Sequence, residues 1–138
     1  MKKLNKKGFT LVELLAVVVI LAILGAIAVT SVTNIIKDNR SKALASSINA
    51  VLDAAELACM NETDGVTSTT LPKYLKSNSV TATPGTTASD GTVVITLTKS
   101  GEFANVSWPA AGDSKLKMGA ATYAVSGSNA TITYVCKQ

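Results

Sequence analysis

The segment that decides the fold is KKGFTLVELLAVVVILAILGAIAVT, residues 6–30. Two lysines and a glycine precede 22 residues, 9–30, whose only charged side chain is Glu13. As a helix at about 1.5 Å per residue, these residues span about 33 Å, enough to cross a bilayer core of about 30 Å. Because lysines come first, the sequence predicts a membrane helix that starts on the cytoplasmic side.

The position of Gly8 separates this segment from an ordinary secretory signal, which carries its small-residue cleavage site after the apolar region. Gly8 instead lies between the lysines and the apolar run. Cleavage after Gly8 removes a basic leader, residues 1–8, and leaves the apolar helix, residues 9–30, on the product. The plainer alternative is an uncleaved single-span anchor.

Glu13 argues against a simple anchor, since a carboxylate costs about 2.5–3.5 kcal/mol at the middle of a bilayer. Cleavage before Phe9 creates a new α-amino group that offers a partner. Between two chains displaced along a common axis, the amine of one chain can meet Glu13 of the other. Neutralising both charges in an apolar bundle favours one stagger, so Glu13 is predicted to set the register between subunits.

Gly8 followed by FTLVELL, residues 9–15, closely resembles the processing and assembly motif of type IV pilins and pseudopilins. The resemblance covers roughly residues 6–29. It implies that a membrane-embedded prepilin peptidase cleaves the Gly8–Phe9 bond and methylates the amine of Phe9, and that Glu13 recruits and aligns subunits. Many family members carry a proline where this chain has Thr30. Proline would kink the helix, and Thr30 need not.

Beyond residue 30 the pattern becomes one-sided, which predicts that the helix continues to about residue 60 and ends in NETDG, residues 61–65. The apolar stripe of this amphipathic part, residues 31–60, consists of Val32, Ile35, Ile36, Ala43, Leu44, Ile48, Val51, Leu52, Ala55 and Cys59. Residues 61–91 are rich in Thr, Ser, Pro and Gly, and they are predicted to form a loop with a short helix around residues 72–76.

Residues 92–138 are predicted to form the sheet. TVVITLT (92–98) alternates, with Val93, Ile95 and Leu97 on one face, and EFANVSW (102–108) follows after Gly101. ATYAVSG (121–127) and NATITYVCK (129–137) form a second predicted hairpin. The predicted fold is α+β: a long N-terminal helix whose second half packs on a four-stranded antiparallel meander, giving a globular head over residues 31–138.

Two cysteines, Cys59 and Cys136, are the only ones in the chain, which has no histidine. A zinc site would need ligands that are missing. Cys59 lies on the helix stripe, and Cys136 shares a strand face with Ile132 and Tyr134. A disulfide is preferred over two buried free thiols, because the head should lie outside the membrane. The bridge departs from the better-known pilins, where it usually closes a C-terminal loop.

The net charge of +4 does not indicate a nucleic-acid partner, because the lysines of the leader supply all of the excess. The remainder carries nine basic and nine acidic residues. Lys115 and Lys117 are interpreted as solvated. No catalytic motif is found, and no enzyme activity, metal or cofactor is expected.

The sequence thus predicts a structural subunit of a type IV pilus. The resemblance implies a single-pass precursor in the cytoplasmic membrane, extracted by an assembly platform and ATPase into a helical homopolymer on the cell surface. Adhesion, motility or biofilm formation are the expected uses. One alternative is a pseudopilin of a type II secretion or DNA-uptake apparatus. Another is a monomeric membrane-anchored adhesin.

Overall fold

A computed structural model describes residues 8–76 and 79–136 of the chain. The chain divides into two compact units, residues 1–37 and residues 38–138. The first helix, α1 (Leu11–Asn61), begins in the first unit and ends in the second. Its predicted span, about residues 9–60, is therefore confirmed to within two residues at either end.

The first unit is a helical segment with no buried residue between positions 8 and 37. Its large apolar side chains point in all directions and are about half exposed or more, as for Leu14 (64%) and Ile27 (60%). An 18-residue window of α1 has a mean hydropathy of 2.9, so the helix is long and apolar enough to cross a membrane by length and composition. A helix that is apolar all round needs lipid or other helices around it.

The second unit is a helix packed on a sheet. The residues of α1 that are buried there follow helical spacing: Leu44, Ala45, Ser47, Ile48, Val51, Leu52, Ala54, Ala55 and Ala58. Val32, Ile35 and Ile36, which the predicted stripe included, are exposed, so burial of the stripe begins only at Leu44. After Asn61 the chain turns at Gly65, whose φ of +66° suits glycine.

The remaining elements are a four-residue helix α2 (Leu71–Tyr74) and four strands, β1 (Val80–Pro84), β2 (Thr92–Lys99), β3 (Thr122–Ser126) and β4 (Asn129–Val135). All neighbouring strands pair antiparallel, in the order β1-β2-β4-β3. Val93, Ile95 and Leu97 of β2 are fully buried, as their alternation predicts. Ile132 of β4 lies opposite Ile95 in the same core.

Three details of the predicted sheet are wrong. Residues 102–108 form no strand; a 3-10 helix, Gly101–Phe103, and turns replace it. The fourth strand is β1, inside the predicted loop 61–91 and outside the predicted sheet 92–138. The order is also not that of a meander, because β4 lies between β2 and β3.

The reasons for these differences are physical. Gly101 has φ +59°, which turns the chain away from the end of β2 rather than into a hairpin partner. In β1, Val80 is buried and Ala82 is half-buried, while Thr81 and Thr83 are exposed, so the strand does alternate. Pro84 ends β1 at the edge of the sheet, which is the position where a strand tolerates proline.

Candidate processing and assembly site

The predicted cleavage site lies in exposed, non-helical chain just before α1. Gly8, Phe9 and Thr10 are all exposed, and Phe9 as a residue is 92% exposed. A Cβ atom added at Gly8 would meet nothing within 4 Å. Packing within the described chain therefore gives no reason for glycine at this position, and a requirement for it would have to come from a protein that reads the segment.

Thr10 and Glu13 form a reciprocal capping box at the start of α1. Oε2 of Glu13 accepts hydrogen bonds from the backbone N–H of Thr10 at 3.0 Å and from its hydroxyl at 3.2 Å. Oγ1 of Thr10 in turn accepts the backbone N–H of Glu13 at 3.3 Å. Two of the backbone donors that a helix start leaves without a partner are thus satisfied.

The capping box gives Glu13 a role that the prediction of a register residue did not include. The signal was present in the sequence as TLVE, residues 10–13, which has the Thr-x-x-Glu spacing of a capping box. The carboxylate also lies in the first turn of α1, where the helix dipole favours negative charge. Within the described residues, the hydrogen bonds of the Glu13 side chain go to Thr10.

The surface around Glu13 is apolar and uncovered. Leu11, Val12, Leu14 and Leu15 are each 59–82% exposed. The carboxylate is therefore the single charged group of an apolar surface that extends to Ile36. Such a surface is much larger than soluble monomers expose, which marks it as a membrane or protein contact surface.

The helix continues through Thr30, the position where many pilins have proline. The Thr30 hydroxyl donates to the carbonyl oxygen of Ile27 at 2.9 Å, and the Thr33 hydroxyl donates to that of Thr30 at 2.9 Å. These hydroxyls are satisfied by the preceding turn of the helix, which lets polar side chains lie in an apolar segment without an unpaired donor.

The two predicted disulfide partners, Cys59 and Cys136, are joined by a disulfide with a Cα–Cα distance of 5.4 Å. Cys136 follows β4, and its backbone N–H donates to the carbonyl oxygen of Gly91 at 2.9 Å. The bond therefore ties the end of the last strand to the last turns of α1. The described residues contain no group of three or more His, Cys, Asp or Glu side chains able to hold a metal ion.

In a comparison with known families, residues 3–29 fit the family model of the prokaryotic N-terminal methylation motif. This motif is the leader signature of type IV pilins and prepilins. The fold, with a long N-terminal helix on a four-stranded antiparallel sheet, is an α+β fold of the pilin type. Motif and fold together support a pilin-like or pseudopilin protein with a structural role. No curated protein and no solved structure matches the chain significantly.

Proposed function

We propose that this chain is the structural subunit of a type IV pilus. A prepilin peptidase cleaves it between Gly8 and Phe9 and methylates the new amine, and the product polymerises through the apolar part of α1. The observation that carries the proposal is the methylation motif at residues 3–29, directly joined to an apolar helical surface with no cover of its own.

The capping box supports a two-stage use of Glu13. In the membrane precursor, Thr10 supplies hydrogen bonds to the carboxylate, which offsets part of the cost of holding it in lipid. In the filament, the methylated amine of Phe9 on another copy is the proposed counter-ion. An unpaired charge buried in an apolar bundle is destabilising. The favoured stagger between copies is therefore the one that brings the Glu13 carboxylate of one copy to the Phe9 amine of another.

The apolar helix supplies cohesion in the proposed filament. Residues 11–36 expose apolar side chains all round, so several neighbouring copies can pack against one helix. The heads then form the outer surface of a cell-surface fibre that serves adhesion, motility or biofilm formation. The assembly platform and ATPase that extract the subunit from the cytoplasmic membrane are part of the same proposal.

Mass spectrometry of fibres sheared from cells tests the proposal. The expected subunit begins at N-methylated Phe9 and is two hydrogens lighter than the reduced chain. Gly8→Val should abolish cleavage, whereas Gly25→Val is the matched control, since an added Cβ meets nothing within 4 Å at either glycine. A surface protein that keeps its Met1 start would overturn the proposal.

The composition of surface fibres, together with the effect of deleting the chain, distinguishes the pilus from a pseudopilus. Long surface fibres that contain this chain as their main component are expected of a pilus subunit. If deletion of the chain removed only protein secretion or DNA uptake and left surface fibres intact, the pseudopilin role would replace the one proposed. Processing at Gly8–Phe9 is expected in both cases.

A further inference from the structure

We propose that the free edge of strand β3 docks on the same edge of a second copy of this chain, and that this contact joins the heads of two different fibres. The inference rests on the proposed function, because it places the two copies in fibres. It concerns backbone pairing between heads, and it does not involve Glu13 or the apolar part of α1.

Strand β3 lies at one edge of the sheet. It pairs with β4 on one side, and no strand among residues 8–76 and 79–136 pairs with its other side. Every residue of β3 except Tyr123 is exposed. An edge strand of this kind presents a row of backbone N–H and C=O groups to which another strand can bond.

The hydrogen-bonding pattern of the hairpin shows which groups of β3 point outward. A two-residue turn joins β3 to β4, so Ser126 and Asn129 form a hydrogen-bonded pair across it. Such pairs alternate along an antiparallel ladder, and the backbone groups of Tyr123 and Val125 therefore point away from β4. Within the part of the chain that the structure describes, no other backbone group bonds to them. The edge thus offers donors and acceptors from two residues.

The opposite edge of the sheet, strand β1, is blunted by Pro84. The backbone N–H of Gly85 donates to the carbonyl oxygen of Val94 at 2.8 Å, so by the same alternation Pro84 points outward from the sheet. Proline has no N–H group and removes a donor from this edge. The sequence of β3, TYAVS, contains neither a proline nor a charged residue, which are the usual means of protecting an edge strand.

The chain just before β3 is fixed without using this edge. The side-chain amide of Asn49 on α1 donates to the carbonyl oxygen of Lys115 at 2.8 Å, and its side-chain oxygen accepts the backbone N–H of Lys117 at 2.8 Å. The backbone N–H of Ala121 then donates to the carbonyl oxygen of Met118 at 2.8 Å, which closes a turn. The segment that leads into β3 therefore bonds to the helix and to itself.

The residues of β3 suit a second copy of the same strand. In a two-fold symmetric contact, a charge near the centre would face an equal charge, which is destabilising, and β3 has none. The antiparallel register centred on Ala124 pairs the whole strand. Hydrogen bonds then join Tyr123 of each copy to Val125 of the other, and the small Ala124 side chain faces its own counterpart.

The size of the contact favours fibres over isolated subunits. Each strand contributes 5 residues, far fewer than the roughly 20–30 residues a side of a stable interface. Single subunits are therefore not expected to form stable dimers. A fibre repeats the same edge many times, and linked weak contacts hold two fibres together far more strongly than one contact holds two subunits.

The symmetry of the contact assigns it to two fibres of opposite direction. The head's part of α1 packs on one face of the sheet, so a two-fold axis perpendicular to the sheet reverses the helix direction in the second copy. Subunits of one fibre all point the same way along it, and the contact cannot form between them. Fibres that extend from two facing cells run in opposite directions and meet this condition.

Cysteine substitution tests the register in sheared fibres that have been left to associate. The two native cysteines are bonded to each other, so an added cysteine is the free thiol. Ala124→Cys should give a disulfide-linked dimer on a non-reducing gel. Thr122→Cys, at an equally exposed site, is the control and should not, because Thr122 faces Ser126 in this register. Combining Thr122→Cys with Ser126→Cys should restore the dimer.

Two results of the cysteine experiment would overturn the docking inference. One is a dimer of Thr122→Cys as abundant as that of Ala124→Cys, which would mean that no antiparallel register is fixed. The other is a dimer that forms only when Ala124→Cys is combined with Thr83→Cys, which would make β1 of the second copy the partner.

Charge substitution at the same position is an independent test. Fibres of Ala124→Lys alone, or of Ala124→Glu alone, should lose their lateral association, because like charges face each other at the centre of the contact. Mixing the two kinds of fibre should restore it. Low-speed sedimentation and bundle width in electron micrographs measure the association. Thr81→Lys, exposed on β1, is the control and should match the unsubstituted chain. Failure of the mixture to recover would overturn the inference.

Processing separates this inference from the proposed function. Every variant should still be cleaved before Phe9 and enter fibres, because the substitutions lie outside the leader and α1. Unsubstituted fibres that stay single would overturn the docking inference alone. A chain absent from all fibres would overturn the proposed function. The cysteine variants of the concentrated, detergent-solubilised full chain would then decide the docking, since a dimer of Ala124→Cys but not of Thr122→Cys supports it and no dimer overturns it.

Discussion

Glu13 accepts both the backbone N–H and the hydroxyl of Thr10, so the one charged residue of the apolar surface is already hydrogen-bonded within its own chain. This relationship divides the role of Glu13 into two parts that substitution can separate. Its oxygen atoms cap the helix, and its negative charge is available to pair with a neighbouring amine.

Glu13→Gln is predicted to keep the cap and remove the charge. Glutamine serves at this position of a capping box as glutamate does, so the start of α1 should remain formed. Fibre yield should nevertheless fall as far as in Glu13→Ala, because neither variant offers a counter-ion to the Phe9 amine. The measurement is the amount of chain in sheared fibres relative to total cleaved chain. Normal yield of Glu13→Gln fibres would mean that the cap, and not the charge, supports assembly.

The disulfide is predicted to provide much of the stability of the head. Cys59 and Cys136 are 77 residues apart in sequence, and closing a ring of that size is worth about 4–5 kcal/mol in the chain-entropy model. Replacing both cysteines with serine should therefore lower the thermal unfolding midpoint of the detergent-solubilised chain substantially. Treatment of the native protein with a reductant should give the same shift, and the reductant should not affect the Ser variant.

The sequence predicts the local features of this fold well and its long-range features poorly. Apolar spacing identified α1, and alternation identified β2, since both patterns are read within one element. β1 was missed because Pro84 and Gly85 look like a turn, while its strand conformation depends on pairing with β2, as in Val80 with Lys99. The place of β4 between β2 and β3 likewise depends on contacts distant in sequence, which periodicity does not report.

The candidate site shows the same division. Gly8, Phe9 and Glu13 stand out because a glycine before an apolar run and a charge within it are both local signals. Thr10 was not singled out, although its spacing to Glu13 is also local. The clamp of Asn49 on residues 115 and 117 could not be predicted, because it joins a helix to a loop 66 residues later.

Gly91→Ala is predicted to destabilise the head more than other glycine substitutions. Gly91 has φ +80°, and an added Cβ would lie 2.7 Å from the carbonyl oxygen of Cys136. The positive φ alone costs about 1–2 kcal/mol for alanine, and the overlap adds to this cost. The thermal unfolding midpoint should fall most in Gly91→Ala, less in Gly119→Ala and least in Gly112→Ala. Gly119 has a positive φ but open space around it, and Gly112 has open space alone.

The Glu62–Lys73 pair predicts an acid-sensitive contribution to stability. The hydrogen bond from Lys73 lowers the pKa of Glu62 below its ordinary value of 4.5. A lowered folded-state pKa means that the contribution is fully present above pH 4.5 and is lost as the pH falls through the folded-state value. Glu62→Gln should therefore unfold more easily than the unsubstituted chain at pH 7, and this difference should shrink below about pH 4. Glu56→Gln, at an exposed position outside this ion pair, is the control and should leave the free energy of unfolding at pH 7 unchanged. If the difference in stability between Glu62→Gln and the unsubstituted chain stayed the same in acid, it would not come from the ionised Glu62–Lys73 pair.

Tyr123→Phe is predicted to stabilise the head. Tyr123 is 7% exposed, and its hydroxyl finds no hydrogen-bond partner among the described residues. A buried polar group without a partner costs about 1–3 kcal/mol, so removing the hydroxyl should raise the free energy of unfolding by about 1 kcal/mol at neutral pH. Tyr74→Phe is the control with the opposite sign, because the Tyr74 hydroxyl donates to Glu62 at 3.2 Å.

The advantage of Tyr123→Phe should also grow in alkali. Burial raises the pKa of Tyr123 from 10.0 to about 12, so between these values the unfolded chain releases a proton that the folded chain keeps. The unfolded state then binds fewer protons, and the stability contributed by Tyr123 falls as the pH rises through this window. Phenylalanine does not titrate and escapes this loss. Denaturant unfolding of both chains at pH 7 and pH 11 measures the difference, and an equal gap at the two pH values would show that the Tyr123 hydroxyl reaches solvent.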